Sequence, residues 1–220
     1  MLTMIHGDKG GVGKSMVAQV LLDYRIASSQ EQSTILVESD TRNPDVSRLF
    51  GKYIQVEEIN LKSHDGWMEL ADLLEQNRDK NVVVSLPAGV GNHIETEGQY
   101  LSDLLADLGH ELKVYWPINR NKDSIILLKE FMESPLGQRA DLTVVLNGFF
   151  GKQEQFQLWN KSNTRQQLLE QYNGREVFLP ELHHRVVDVI REPYTMCKGL
   201  QYSVRVELER WLRRAYQIVY

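Results

Sequence analysis

The residues that constrain this chain most are Gly7-Asp8-Lys9-Gly10-Gly11-Val12-Gly13-Lys14-Ser15, directly after the apolar run Met1-Leu2-Thr3-Met4-Ile5. A short apolar strand running into a glycine-rich turn and then a helix aligns a row of backbone N–H groups with the positive end of that helix. Both features suit phosphate oxygens. In such a loop Lys14 supplies a mobile positive charge for the outer phosphates, and the Ser15 hydroxyl is the expected Mg²⁺ ligand. Asp8 stands where the common form of the motif has its first glycine, and Lys9 adds a second cation near the entrance.

The rest of the chain agrees with this opening. Apolar strands and amphipathic helices alternate from end to end, the pattern of a doubly wound, mainly parallel α/β sheet with helices on both faces. Strands are expected at Thr34 to Val37, Val82 to Val84, Leu112 to Trp116, Leu142 to Leu146 and Glu176 to Leu179. Helices are expected after the glycine-rich loop, where Met16, Val17, Val20, Leu21 and Tyr24 share a side, and at about 66–77, 97–108, 122–133, 153–172 and 182–191. With 220 residues, and no repeat or linker, a single domain over 1–220 is expected.

Composition narrows the function. No apolar run approaches the roughly 18 residues of a membrane span, and the glycine-rich loop begins too early for a signal peptide. Cys197 is the one cysteine, so neither an internal disulfide nor a cysteine metal cluster is expected, and a cytoplasmic location is. A net charge of −5 argues against nonspecific DNA binding by the whole surface.

Lys9-Gly10-Gly11-Val12-Gly13-Lys14-Ser15 resembles the deviant phosphate loop of the MinD/ParA family of ATPases, in which the first lysine is the signature lysine. The resemblance implies ATP and Mg²⁺ as ligands and a homodimer closed around two ATP molecules. Lys9 would reach the partner's phosphates in trans. After the second strand, Glu38-Ser39-Asp40 stands where the family has Asp-x-Asp, so Asp40 is implied to orient the hydrolytic water or join the metal shell. Glu38 departs by one methylene. After the central strand, Ser85-Leu86-Pro87-Ala88-Gly89 resembles the switch II segment Asp-x-Pro-Ala-Gly, with Ser85 in place of the aspartate. Loss of that carboxylate implies metal binding or turnover weaker by something like 10- to 100-fold unless Glu38 or Asp40 compensates. Asn147, directly after a strand, resembles the family's adenine-reading amide, while Asn147-Gly148 is also a turn signal by itself. Pro180 and Glu181 resemble the loop that closes over the base.

Other residues invite plainer readings. His183 and His184 suit a helix start better than a metal site, and Phe156 and Trp159 suit packing. The C-terminal helix carries Val204, Leu208, Trp211, Leu212 and Ala215 on one face and Arg205, Arg210, Arg213 and Arg214 elsewhere. Packing on the sheet is expected there over membrane contact, although the arginines also suit an acidic partner or nucleic-acid phosphates. The resemblance is strongest to small plasmid stability and mobilisation members, which implies a partition, relaxase or mobilisation partner and at most indirect DNA association, while Ser85 in place of the family's aspartate implies slow or partner-stimulated hydrolysis. Two alternatives remain: a nucleotide-dependent scaffold that does not hydrolyse ATP, suggested by Ser85, and a bacterial tyrosine kinase-like protein, suggested by Asp40-x-Arg42-x-Pro44 and by Tyr216 and Tyr220.

Overall fold

Successive side chains point to opposite faces of each strand, and helical residues three or four apart share one face, which sorts the chain into three layers. The computed structural model describes residues 1–7 and 9–219, so Asp8 and Tyr220 lie outside the described residues. Seven strands form one all-parallel sheet: β1 (Leu2–Ile5), β2 (Thr34–Glu38), β3 (Gln55–Glu58), β4 (Asn81–Ser85), β5 (Leu112–Ile118), β6 (Asp141–Asn147) and β7 (Arg175–Leu179), in the order β3-β2-β4-β1-β5-β6-β7. The helices are α1 (Lys14–Ala27), α2 (Asp45–Phe50), α3 (His64–Gln76), α4 (Gly91–Asp107), α5 (Lys122–Glu133), α6 (Pro135–Arg139), α7 (Gln157–Asn160), α8 (Asn163–Glu170), α9 (His184–Val187) and α10 (Tyr202–Ala215).

One face of the sheet presents Leu2, Met4, Val82, Val84, Val114 and Trp116 to α3, α4, α5 and α6. The other presents Ile5, Leu36, Val83 and Val145 to α1, α2 and α10. Strands covered on both faces have no solvated side, which is why β1, β2 and β4 read as near-continuous apolar runs. The sheet order also fixes where a ligand fits. The chain leaves β1 toward β2 on one side and leaves β5 toward β6 on the other, although β1 and β5 are neighbours. A crevice opens at such a switch point, beyond the carboxyl ends of the strands.

Three local differences from the sequence pattern have physical reasons. β3 carries no apolar signal because Gln-Val-Glu-Glu is a partly exposed edge strand. The helix expected over 153–172 is interrupted near Lys161, and Ser162 caps its second half by accepting the Arg165 N–H at 3.1 Å. The helix expected over 182–191 shrinks to α9, and the β-branched Val189 and Ile190 just past its end are weak helix formers. His183 caps it through Nδ1, which accepts the Arg185 N–H at 3.2 Å. Phe156 and Trp159 are both packing residues, each 1% exposed.

The stripe on α10 packs against the sheet: Val204, Leu208, Trp211 and Ala215 are all buried. The Trp211 indole N–H also donates to the Pro180 carbonyl at 2.8 Å, so α10 anchors the loop that follows β7. Tyr216, just beyond α10, donates its hydroxyl proton to the buried Asp23 carboxylate on α1. Replacing Trp211 by Ala should therefore lower the unfolding free energy by roughly 3–5 kcal/mol. Urea unfolding followed by circular dichroism measures this, and an unchanged midpoint and slope would contradict burial of the stripe.

Candidate functional site

The glycine-rich loop bridges β1 and α1 at the switch-point crevice. Gly13 adopts φ 105°, a conformation that disfavours any side chain, and turns the chain from the loop into α1. A Cβ at Gly13 would also collide with the Asn147 amide nitrogen, so two separate constraints require glycine. Gly11 is likewise left-handed at φ 74°, and a Cβ there would meet nothing. The loop is therefore a backbone cradle open on its outer side. Lys14 folds over it, its ammonium donating to the carbonyls of Gly7 at 2.7 Å and Lys9 at 3.1 Å. Ser15 sits partly exposed in the first turn of α1. Paired left-handed glycines, a helix N-terminus, an ammonium and a hydroxyl make a donor set that fits a metal-bound polyphosphate.

Neighbouring segments close around this cradle. Gly10 faces Ala88 of the loop after β4: a Cβ added to Gly10 would touch the Ala88 methyl at 3.8 Å. In that loop Pro87 is buried, whereas Gly89, with φ 73°, is exposed. Asn147 at the end of β6 donates its amide to the Val12 carbonyl at 2.9 Å and accepts the Phe149 N–H at 3.1 Å. It thus both caps its own turn and locks the loop after β1. Gly148 approaches Leu179 and Glu181 so closely that a Cβ would sit 2.6 Å from the Leu179 carbonyl oxygen. Pro180, buried, and Glu181, exposed, are thereby held beside Asn147. The expected residues Gly10, Gly11, Val12, Gly13, Ala88, Asn147, Pro180 and Glu181 therefore converge on one edge of the sheet.

The two carboxylates at the end of β2 and just beyond it diverge. Asp40 is partly exposed, and its Oδ1 accepts the Asn43 N–H at 3.1 Å. Glu38, expected beside it as a metal-facing group, is 0% exposed. Its two oxygens accept the backbone N–H groups of Asp40 and Ser47, each at 3.3 Å. Burial pushes its pKa up to about 7, against the opposing pull of those two hydrogen bonds. Ser85 is its register partner on β4 and is 4% exposed. Adjacent residues in a parallel ladder share a face, so the Ser85 hydroxyl has a buried glutamate as its neighbour.

Asp123, in the first turn of α5, escaped the sequence pattern. Its carboxylate accepts from the Lys9 ammonium at 2.6 Å, and that hydrogen bond holds its pKa below the usual carboxylate range. The clue was available, because Asp123 follows a strand at the same edge of the sheet as the other loops. His6, the residue between β1 and the loop, was also overlooked. It is 2% exposed and rests edge-on against Trp116, with ring centres 4.4 Å apart.

No family model matches the chain. Protein MobD of Acidithiobacillus ferrooxidans is 37% identical over 220 residues, spanning 98% of this chain and 95% of that protein. The MinD cell division protein of Aquifex aeolicus superposes with a TM-score of 0.52 at 15% identity, covering 96% of each chain. It matches again in its complex with MinC, with a TM-score of 0.51. Chloroplast FtsY of Physcomitrella patens superposes with a TM-score of 0.56 at 9% identity, covering 94% of this chain and 64% of that one. The seven-stranded parallel sheet is thus the P-loop fold of MinD-type proteins, and no helix among the described residues is long and apolar enough to cross a membrane.

The pKa of Glu38 sets a direction for stability. Between pH 4.5 and about 7 the folded protein holds a proton that the unfolded chain releases, so ionising this group costs stability as pH rises through that window. The difference in unfolding free energy between wild type and Glu38→Gln should therefore shift against wild type by up to about 3 kcal/mol from pH 4.5 to pH 7.5. Denaturant titrations of both proteins across that range measure it, and parallel pH profiles would sink the assignment.

Proposed function

The chain belongs to the family of protein MobD, and from that premise we propose that it binds Mg-ATP in the loop between β1 and α1 and dimerises around it. The observation that carries this reading is the cradle itself. Its left-handed Gly11 and Gly13 open into α1 at a switch point, with Lys14 and Ser15 at the helix start. We further propose that residues 1–220 act as one ATPase unit and that hydrolysis is slow or stimulated by a partner. The process would be plasmid mobilisation, with partition or stability as neighbouring roles. The relation to MobD favours mobilisation among these, and the MinC:MinD complex supports a protein partner for this fold.

The chain's own groups have distinct tasks in this reading. Backbone N–H groups of Gly10, Gly11, Val12 and Gly13 hold phosphate oxygens. Lys14 exchanges its carbonyl partners at Gly7 and Lys9 for phosphate, which is a charge-assisted and stronger contact. Magnesium, held through Ser15 and Asp40, would neutralise charge on the outer phosphates. Glu38 positions the Asp40 segment through the Asp40 N–H, and Asp40 orients water. Asn147, Pro180 and Glu181 border the base. Lys9 leaves Asp123 and reaches across to the nucleotide of the second protomer, so ion-pair exchange couples nucleotide binding to assembly.

Ser85 favours a second reading, a scaffold that retains ATP without cleaving it, because a buried hydroxyl brings no full negative charge to switch II. Of the two tyrosines behind the tyrosine kinase-like alternative, Tyr216 has its hydroxyl engaged with Asp23, while Tyr220 lies outside the described residues.

Lys14→Ala should weaken ATP retention by roughly 10- to 100-fold, the loss expected for a charge-assisted contact. Lys9→Ala should keep nucleotide affinity within a few-fold yet elute as a monomer with ATP. Asp123→Asn should tighten ATP-dependent association by a few-fold, as expected for releasing an exposed ion pair. Equilibrium dialysis and light scattering read these outcomes. An ATP-independent elution volume for wild type, Lys9→Ala and Asp123→Asn alike would overturn the dimer, and absent phosphate release with every mobilisation partner would select the scaffold.

A further inference from the structure

A groove of about 350 Å³ lies between α2 and the segment that joins α9 to α10. Arg48 and Lys52 reach it from α2 and its end, Arg191 and Lys198 from the joining segment. All four are exposed, and none belongs to an ion pair among the described residues. Glu192 is the one carboxylate in the lining. The groove also has an accessible apolar part, where Val189 is 44% exposed and Leu49 and Leu200 are half-buried. The joining segment has little regular structure, yet it is fixed to α1. Thr195 donates its N–H and its hydroxyl to the Asp23 carboxylate at 3.0 and 3.1 Å, and the Tyr194 hydroxyl donates to Gln19 at 2.8 Å. The Arg191 guanidinium donates to the carbonyls of Asp188 and Ile190 at 2.8 and 2.6 Å. The groove is therefore formed before a ligand arrives, which lowers the ordering cost of binding.

These features select one ligand chemistry. In a chain of net charge −5, four cations around one concavity draw an anionic partner to that place while the rest of the surface repels it. Nucleic-acid phosphates would answer the charge but would leave Leu49, Val189 and Leu200 facing a hydrated backbone. A short acidic peptide answers both features, since its carboxylates meet the cations and an apolar side chain between them covers the apolar part. We propose that this groove docks an acidic segment of a partner protein, one in which Glu or Asp residues flank a leucine-like side chain.

A peptide held by Arg48 and Lys52 rests on the helix that follows the Asp40 segment. That helix also carries Ser47, whose N–H donates to the buried Glu38 carboxylate at 3.3 Å. The docking surface is thus continuous with the segment after β2 but contains none of the residues assigned to nucleotide. The proposal concerns binding alone and does not require that the cradle hold ATP.

The probe is a rhodamine-labelled peptide, Glu-Glu-Leu-Glu-Glu, followed by fluorescence anisotropy as the full chain is titrated in without nucleotide. Binding should saturate with a dissociation constant on the order of 0.1 mM at low salt, as expected for a few exposed charge pairs and one covered leucine. The double variant Lys52→Glu/Lys198→Glu should melt like wild type, because both side chains are exposed, and should bind at least fivefold more weakly. Lys62→Glu/Lys161→Glu changes the net charge equally at exposed residues outside the groove and should bind within twofold of wild type. The peptide Glu-Glu-Ser-Glu-Glu should bind at least threefold more weakly than the leucine peptide. Absence of saturation, a loss below fivefold in the groove variant, an equal loss in the control variant, or equal binding of the serine peptide would each overturn the proposal. Displacement of the peptide by a duplex oligonucleotide that itself loses affinity in the groove variant would overturn it in favour of nucleic acid.

Discussion

The turn at Gly13 is the constraint on which the rest of this molecule depends. It directs the N-terminus of α1 at the crevice beside the central strand β1. An ordinary residue could adopt neither its φ of 105° nor its closeness to Asn147. The hydrogen bond from Asn147 to the Val12 carbonyl then ties the loop to β6, 135 residues away in sequence. A loop that depended on glycine freedom alone would be loose, whereas this one is pinned from the neighbouring strand. Pre-organisation of that kind reduces the ordering cost when a ligand arrives.

Electrostatics around the loop consist of exchanges waiting to occur. Lys14 donates to loop carbonyls and Lys9 to Asp123, so both cations have protein partners. A polyphosphate offers each of them more negative charge than its present partner. In the proposed reading, this difference links binding in one protomer to contact with the next. Asp123 stands on α5, outside the glycine-rich motif, so the helix following β5 belongs to the site as much as the loop after β1 does.

The buried polar groups divide into two kinds. Asp23 is satisfied: it accepts from Thr195 and Tyr216 and so joins α1 to the C-terminal segment. Trp211 likewise joins α10 to Pro180, which makes the terminal helix a brace for the loop beside Asn147. Glu38 and His6 are poised differently. Among the described residues Glu38 has only backbone partners and a pKa raised by burial, and the His6 Nδ1 has no hydrogen-bond partner. Both flank segments proposed above to bind nucleotide, where a change of charge nearby has the largest effect.

Local patterns determined a good deal. Alternating apolar strands and amphipathic helices specified the layered parallel sheet, and Gly10 to Ser15 specified the cradle, because periodicity and glycine spacing are properties of neighbouring residues. That Ser85 stands where an aspartate is expected came instead from the resemblance of Ser85-Leu86-Pro87-Ala88-Gly89 to the family's switch II segment. Tertiary structure alone decided what distant residues do to one another. It turned Glu38 inward while leaving Asp40 accessible, paired Lys9 with Asp123, and gave Asn147 a carbonyl on another loop. It also left β3 without an apolar signature, since an edge strand is held by its neighbour's backbone and not by its own side chains. Burial, pairing and register arise only when separate segments meet, so no reading of adjacent residues contains them.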